Sequence, residues 1–138
     1  MTATRFGFDQ DVGVAYQQLP EVPYAYAAVA PAGAVLFTAG ACPLGSDGSV
    51  VAIGDLRRQA EHAVHNLLTV LNNYGAGPEH LVKTTVYVVG RKDDLRTAWD
   101  AVASQLAPHR PPSTLLGVSV LGYEGQLIEI DAIAALTA

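Results

Sequence analysis

Cysteine is nearly absent from this chain. Cys42 is the only one in 138 residues, so no intrachain disulfide forms and no oxidising compartment is required. Basic residues are also few. Eight Lys plus Arg stand against 13 Asp plus Glu, a net charge of −5, and no Lys/Arg run exceeds two. A nucleic-acid binder displaces counterions with a basic patch, so dedicated nucleic-acid binding is disfavoured. No apolar run approaches the roughly 18 residues of a membrane span. The opening Met1-Thr2-Ala3-Thr4-Arg5 lacks the apolar segment that follows in a signal peptide. The expectation is a soluble, cytoplasmic protein. Missing too are the G-x-x-x-x-G-K-[ST] and G-x-G-x-x-G arrangements, which removes the phosphate-loop and dinucleotide readings. Gly75-Ala76-Gly77 follows a helical pattern instead of opening one, the wrong polarity for anion binding.

Apolar residues make up 50% of the chain and charged ones 15%, enough for one core without metal or disulfide staples. We read a single domain, 1–138. Residues 1–20 show no sustained periodicity and form either an irregular arm or a short edge strand. Strand-like segments at 25–30 and 35–39 flank Pro31-Ala32-Gly33, which predicts a β-hairpin. Asp55 is placed as the N-cap of a helix. Leu56, Ala60, Ala63, Val64, Leu67, Leu71 and Tyr74 give it one apolar stripe, and Gly75 ends it. The β-branched run 81–89 suits a central strand. Asp93 or Asp94 opens a second helix with Leu95, Ala98, Trp99, Val102 and Leu106 on one face, stopped by Pro108, Pro111 and Pro112. Final strands fall at 114–120 and 126–134. The order β-β-α-β-α-β-β predicts an α+β fold, a mixed sheet with two helices packed on one face. Apolar residues occur on both sheet faces, so helices on one side only would leave a large apolar patch wet. A homo-oligomer is expected.

No local catalytic signature is present. His62 and His65 are three apart on the first helix, but no third metal ligand is evident. They are read as solvated, and no metal is expected. Cys42, in Ala39-Gly40-Ala41-Cys42-Pro43, has no basic partner in a motif and is read as a small packed residue. Glu129 sits in Leu127-Ile128-Glu129-Ile130-Asp131-Ala132-Ile133. There Ile128, Ile130 and Ala132 share one face, and Glu129 and Asp131 the other. By pattern alone it is either a solvated strand residue or a carboxylate held at an interface site.

Several landmarks recur in one order. They are Pro23-Tyr24, Gly40 with Pro43, Gly54-Asp55 with Gln59 and Asn66, and Leu81-Val82-Lys83-Thr84-Thr85-Val86-Tyr87-Val88. The Pro111-Pro112-Ser113-Thr114 turn and Ile128-Glu129-Ile130-Asp131-Ala132-Ile133-Ala134 complete the set. Together they resemble the Rid (reactive intermediate deaminase, RidA/YjgF) family, over approximately 23–134. Each motif is weak alone; the ordered set is specific. The resemblance implies a chorismate-mutase-like subunit, a homotrimer with a β-barrel-like core, and clefts between subunits. It also implies hydrolysis of enamine or imine intermediates such as 2-aminoacrylate, with no metal or organic cofactor and a small molecule as ligand.

Carried over residue by residue, Glu129 matches the family's water-positioning glutamate and Tyr24 its cleft tyrosine. The substrate-clamping Arg is replaced by Ser113. Ala39 stands for a small hydroxyl residue, Trp99 for a helical Asn, and Leu115 for a position that is often Cys. Arg110 lies three residues from Ser113, about 10 Å along an extended chain. Ser113, Thr114, Ala39, Leu115 and Trp99 are thus the substrate-binding candidates. Losing a buried guanidinium–carboxylate pair costs on the order of 2–5 kcal/mol of binding. Weak or absent 2-aminoacrylate turnover is therefore expected, in a cleft suited to a larger or uncharged ligand. The alternative is a non-catalytic ligand-binding or regulatory trimer that kept the scaffold. RNA cleavage, a description some relatives carry, is least favoured by the charge.

Overall fold

Asp55 begins the longest element: its carboxylate accepts the Arg58 amide at 3.1 Å and caps helix α1 (Leu56–Asn73). A computed structural model describes residues 19–136; the expected N-terminal arm, up to residue 18, lies outside the described residues. Helix α1 ends as its sequence predicts. Gly75 adopts a left-handed φ of 71°. Its amide bonds to the Asn72 carbonyl at 3.0 Å and that of Ala76 to Leu71 at 2.9 Å, which satisfies carbonyls the helix leaves open. Helix α2 (Lys92–Leu106) begins a residue or two earlier than expected, with the Asp94 carboxylate accepting the Arg91 amide at 2.7 Å.

The sheet holds β1 (Val35–Phe37), β2 (Leu81–Val89), β3 (Ser113–Val118) and β4 (Ile128–Ala135) in the order β1-β4-β2-β3. The β2–β3 pair is parallel and the others antiparallel. Helix α2 is the crossover the parallel pair needs. Both helices cover one sheet face. Under them lie Val86, Val88, Ile128, Ile130, Ala132 and Ala134, packed against Ala63, Val64, Leu67, Leu71, Ala98 and Val102. Each fully buried Leu or Ile here contributes about 2 kcal/mol. The opposite sheet face carries Tyr87, Leu116, Val118, Glu129, Asp131 and Ile133, all partly exposed, with Phe37 70% exposed.

One expected element is absent. The Pro31-Ala32-Gly33 turn is present, with Gly33 at φ 143°, but residues 25–30 form no strand. The segment is mostly alanine, which offers little cross-strand side-chain area. Its Ala25 amide bonds instead to the Arg110 carbonyl at 3.1 Å. Among the described residues strand β1 pairs only with β4, and the order is β-α-β-α-β-β.

Candidate functional site

The site grows from an irregularity in the β1–β4 pairing. Phe37 lies opposite Ile133, and Ala41 bridges Ile130: four residue steps on one chain answer three on the other. The extra residue is a bulge. At that point the Ala132 amide bonds to the Thr38 hydroxyl at 3.0 Å, while the Thr38 amide reaches the Ala132 carbonyl at 3.0 Å. Beyond it Ala41 and Ile130 exchange backbone bonds of 2.6 and 3.1 Å. Ala41 packs toward the core, so its neighbours Gly40 and Cys42 are turned to the face that carries Glu129.

Glu129 is half-buried there. Its Oε1 accepts from the Gln126 amide at 3.2 Å and from the Cys42 thiol at 3.5 Å. Its Oε2 lies against Gly40 so closely that a Cβ on that glycine would sit 1.9 Å away. Burial and then the Glu129 charge push the Cys42 thiol above its ordinary range, so at neutral pH it is a donor and not a thiolate. On the same face the Tyr87 hydroxyl donates to Asp131 at 2.9 Å; that bond, followed by burial, raises the Tyr87 phenol. Cys42 also borders a groove of about 430 Å³ with Phe37, Ala39, Asn66, Val70 and Tyr123.

Helix α1 fastens the loops around this carboxylate. Asn66 donates to the carbonyls of Cys42 and Leu44 at 2.8 and 3.0 Å, and His62 Nε2 donates to Leu44 at 2.8 Å. The reading of His62 as a solvated histidine is therefore corrected: a carbonyl 18 positions away holds it. His65 is exposed as expected. Gln59 is fully buried. Its Nε2 donates to the Gly125 and Ala52 carbonyls at 3.0 and 3.3 Å, and its Oε1 accepts the Leu127 amide at 2.8 Å.

The remaining candidates lie in other places. Tyr24 packs edge-on against Trp99, centroids 5.9 Å apart. Trp99 and Ser113 border a recess of about 20 Å³, which holds one water at most. Arg110 borders that recess too, and the residue is exposed. The Ser113 hydroxyl is already engaged, with Thr84 and with the Pro111 carbonyl at 3.1 Å. Thr114 faces the other side of β3 and accepts from Lys83 Nζ at 2.6 Å. Leu115 packs against the core. The chain thus presents two groups, Tyr24–Trp99–Ser113 and Ala39–Cys42–Glu129.

No sequence pattern marks Cys42 and Gln126 as the neighbours of Glu129 that they are. The only local hint was Gly40 two residues before Cys42. No group of three or more His, Cys, Asp or Glu among the described residues has the arrangement of a metal site. Among them, too, no helix is long and apolar enough to cross a membrane.

Two helices on a mixed four-stranded sheet, with a bulge-pinned carboxylate on the open face, define a Rid-type α+β protein. Residues 16–136 match the model of the endoribonuclease L-PSP family, and the chain belongs to that family, which is also known as RidA/YjgF. It is similar to protein DfrA of Myxococcus xanthus, 33% identical over 113 residues, 81% of this chain and 84% of that protein. A RutC family protein of Pyrococcus abyssi is 27% identical over 109 residues, covering 79% and 84%. The crystal structure of YyfB from Yersinia pestis, described as a protein of the conserved Rid family, superposes with a TM-score of 0.78. It is 28% identical, with 89% of this chain and 96% of that chain covered.

Proposed function

We propose that this chain is a hydrolase of imines or enamines, and that its cleft takes a larger or uncharged ligand in place of 2-aminoacrylate. The observation that carries the reading is Glu129: a carboxylate in an apolar strand, with Oε1 held by Gln126 and Cys42 and Oε2 lying over Gly40. In the reaction, water adds to the iminium carbon as Glu129 takes one of its protons. Glu129 returns that proton to the nitrogen of the carbinolamine. The C–N bond then breaks to release ammonia, and Glu129 takes the hydroxyl proton and passes it to that ammonia, which leaves a carbonyl compound and ammonium. No metal or organic cofactor enters these steps.

The altered ligand preference follows from the second group. Where the family clamps a carboxylate with Arg, Ser113 has a hydroxyl already committed to Thr84 and Pro111. Arg110 at the rim is exposed, and an exposed cation is screened by water. Joining the two groups is assigned to the homotrimer that the family implies, the Glu129 group of one subunit facing the Tyr24–Trp99 group of the next. A reducing cytoplasm suits the unpaired Cys42.

Imines generated in situ from neutral amines and from amino acids test this. The neutral imines are expected to be hydrolysed faster than in buffer, with kcat/KM at least about tenfold above that for the carboxylate-bearing ones. No acceleration of any imine would favour the ligand-binding alternative, whose motive is the set of departures at Ser113, Ala39 and Leu115.

A further inference from the structure

We infer that Gln126 is a positioning residue for Glu129: its amide, with the Cys42 thiol beside it, holds one carboxylate oxygen so that the other is left for the attacking water. The inference rests on the reading of Glu129 as the water-orienting group and deepens it. Gln126 is 4% exposed, and each side of its amide is used. Oε1 accepts the Tyr123 amide at 3.1 Å, while Nε2 donates to the Ile128 carbonyl at 3.0 Å and to Glu129 Oε1 at 3.2 Å. A backbone N–H only donates and a carbonyl only accepts. The amide therefore has one orientation that satisfies its neighbours, with its NH2 toward Glu129.

The residues flanking Gln126 are fixed in turn. Buried Gln59 binds the Gly125 carbonyl and the Leu127 amide, so two glutamines act in series from α1 to the carboxylate. Cys42 approaches the same oxygen at 3.5 Å from the opposite segment. No donor among the described residues reaches Oε2, which rests over Gly40. A carboxylate saturated on one oxygen offers its free lone pairs on the other, in a fixed direction. A nucleophilic role for Cys42 would need a thiolate, and burial with the Glu129 charge opposes one.

Infrared spectroscopy of the full chain carrying carbon-13-labelled glutamate, with the Glu129 bands assigned by their loss in Glu129→Gln, tests this. A charge-assisted bond to one oxygen makes the carboxylate asymmetric and spreads its two stretching bands. Gln126→Leu is expected to narrow that spread, Cys42→Ala to narrow it less, and Cys42→Ser, which restores a donor, to bring it back. The kcat for imine hydrolysis should fall in the same order, with KM unchanged. Bands unmoved by Gln126→Leu and by Cys42→Ala overturn the inference. Gln126→Leu leaves the Tyr123 amide and Ile128 carbonyl unpaired; should it fail to fold, the Cys42→Ala and Cys42→Ser pair decides by the same bands. The bands are read whether or not an imine is hydrolysed. Hydrolysis indifferent to Glu129→Gln would sink the proposed reaction, whereas unmoved bands would sink the positioning.

Discussion

Glycine at position 40 is required by space, not by backbone conformation: the Glu129 carboxylate occupies the volume a Cβ would fill. Its φ lies outside the left-handed region, so alanine is tolerable to the backbone, and the flexible acid side chain is what must yield. Gly40→Ala is therefore expected to leave the melting temperature nearly unchanged and to lower imine hydrolysis about 100-fold, the scale of a 1 Å misplacement of a reacting group. Steady-state kinetics beside a thermal melt check this; unchanged kinetics would remove Gly40 from the site. Glu129 was visible as a candidate because an acid alternating with Ile128 and Ile130 is conspicuous in any strand. Cys42 was not, because it stands 87 positions away and meets the acid only through a one-residue bulge. No spacing rule records such a slip.

Helix α1 is the element that was most legible and that does most for the site. Its cap residue, its apolar stripe and Gly75 are local signals, each read by the backbone within one turn. Strand β2 was equally plain, because β-branched residues fill it. The segment 25–30 misled because strand-like residues beside a turn say nothing about whether a partner strand is available. The polar residues of α1 were harder to read: Gln59, His62 and Asn66 point at loops, and their partners are set by tertiary folding. Gln59→Leu would strand the Leu127 amide and the Gly125 carbonyl in a buried place, costing about 2 kcal/mol. It should also lower activity by loosening the segment that carries Gln126. Asp55→Ala should cost about 1 kcal/mol with kcat/KM unchanged. Denaturant melts together with kinetics separate the two; equal activity loss in both would contradict this division of labour.

For the whole molecule, the sheet face away from the helices is the outstanding feature. Phe37 and Val35 are exposed on it, Leu116, Val118 and Ile133 partly so, and a subunit standing alone would leave them in water. The sequence pointed to this excess without indicating its geometry, since a period of two assigns residues to faces but not faces to partners. Sedimentation is expected to give about three times the mass of a 14.4 kDa chain. Leu116→Glu, which would place a charge in the proposed subunit contact, should release folded monomers. A monomeric wild type would leave the Tyr24–Trp99 and Glu129 groups without the neighbour that joins them.

The role of Glu129 as the group that handles water is tested most directly by the rate of neutral-imine hydrolysis in the wild type and in Glu129→Gln. The account predicts a fall of about 10²–10⁴-fold, with folding and assembly intact. Equal rates in the two proteins would contradict it.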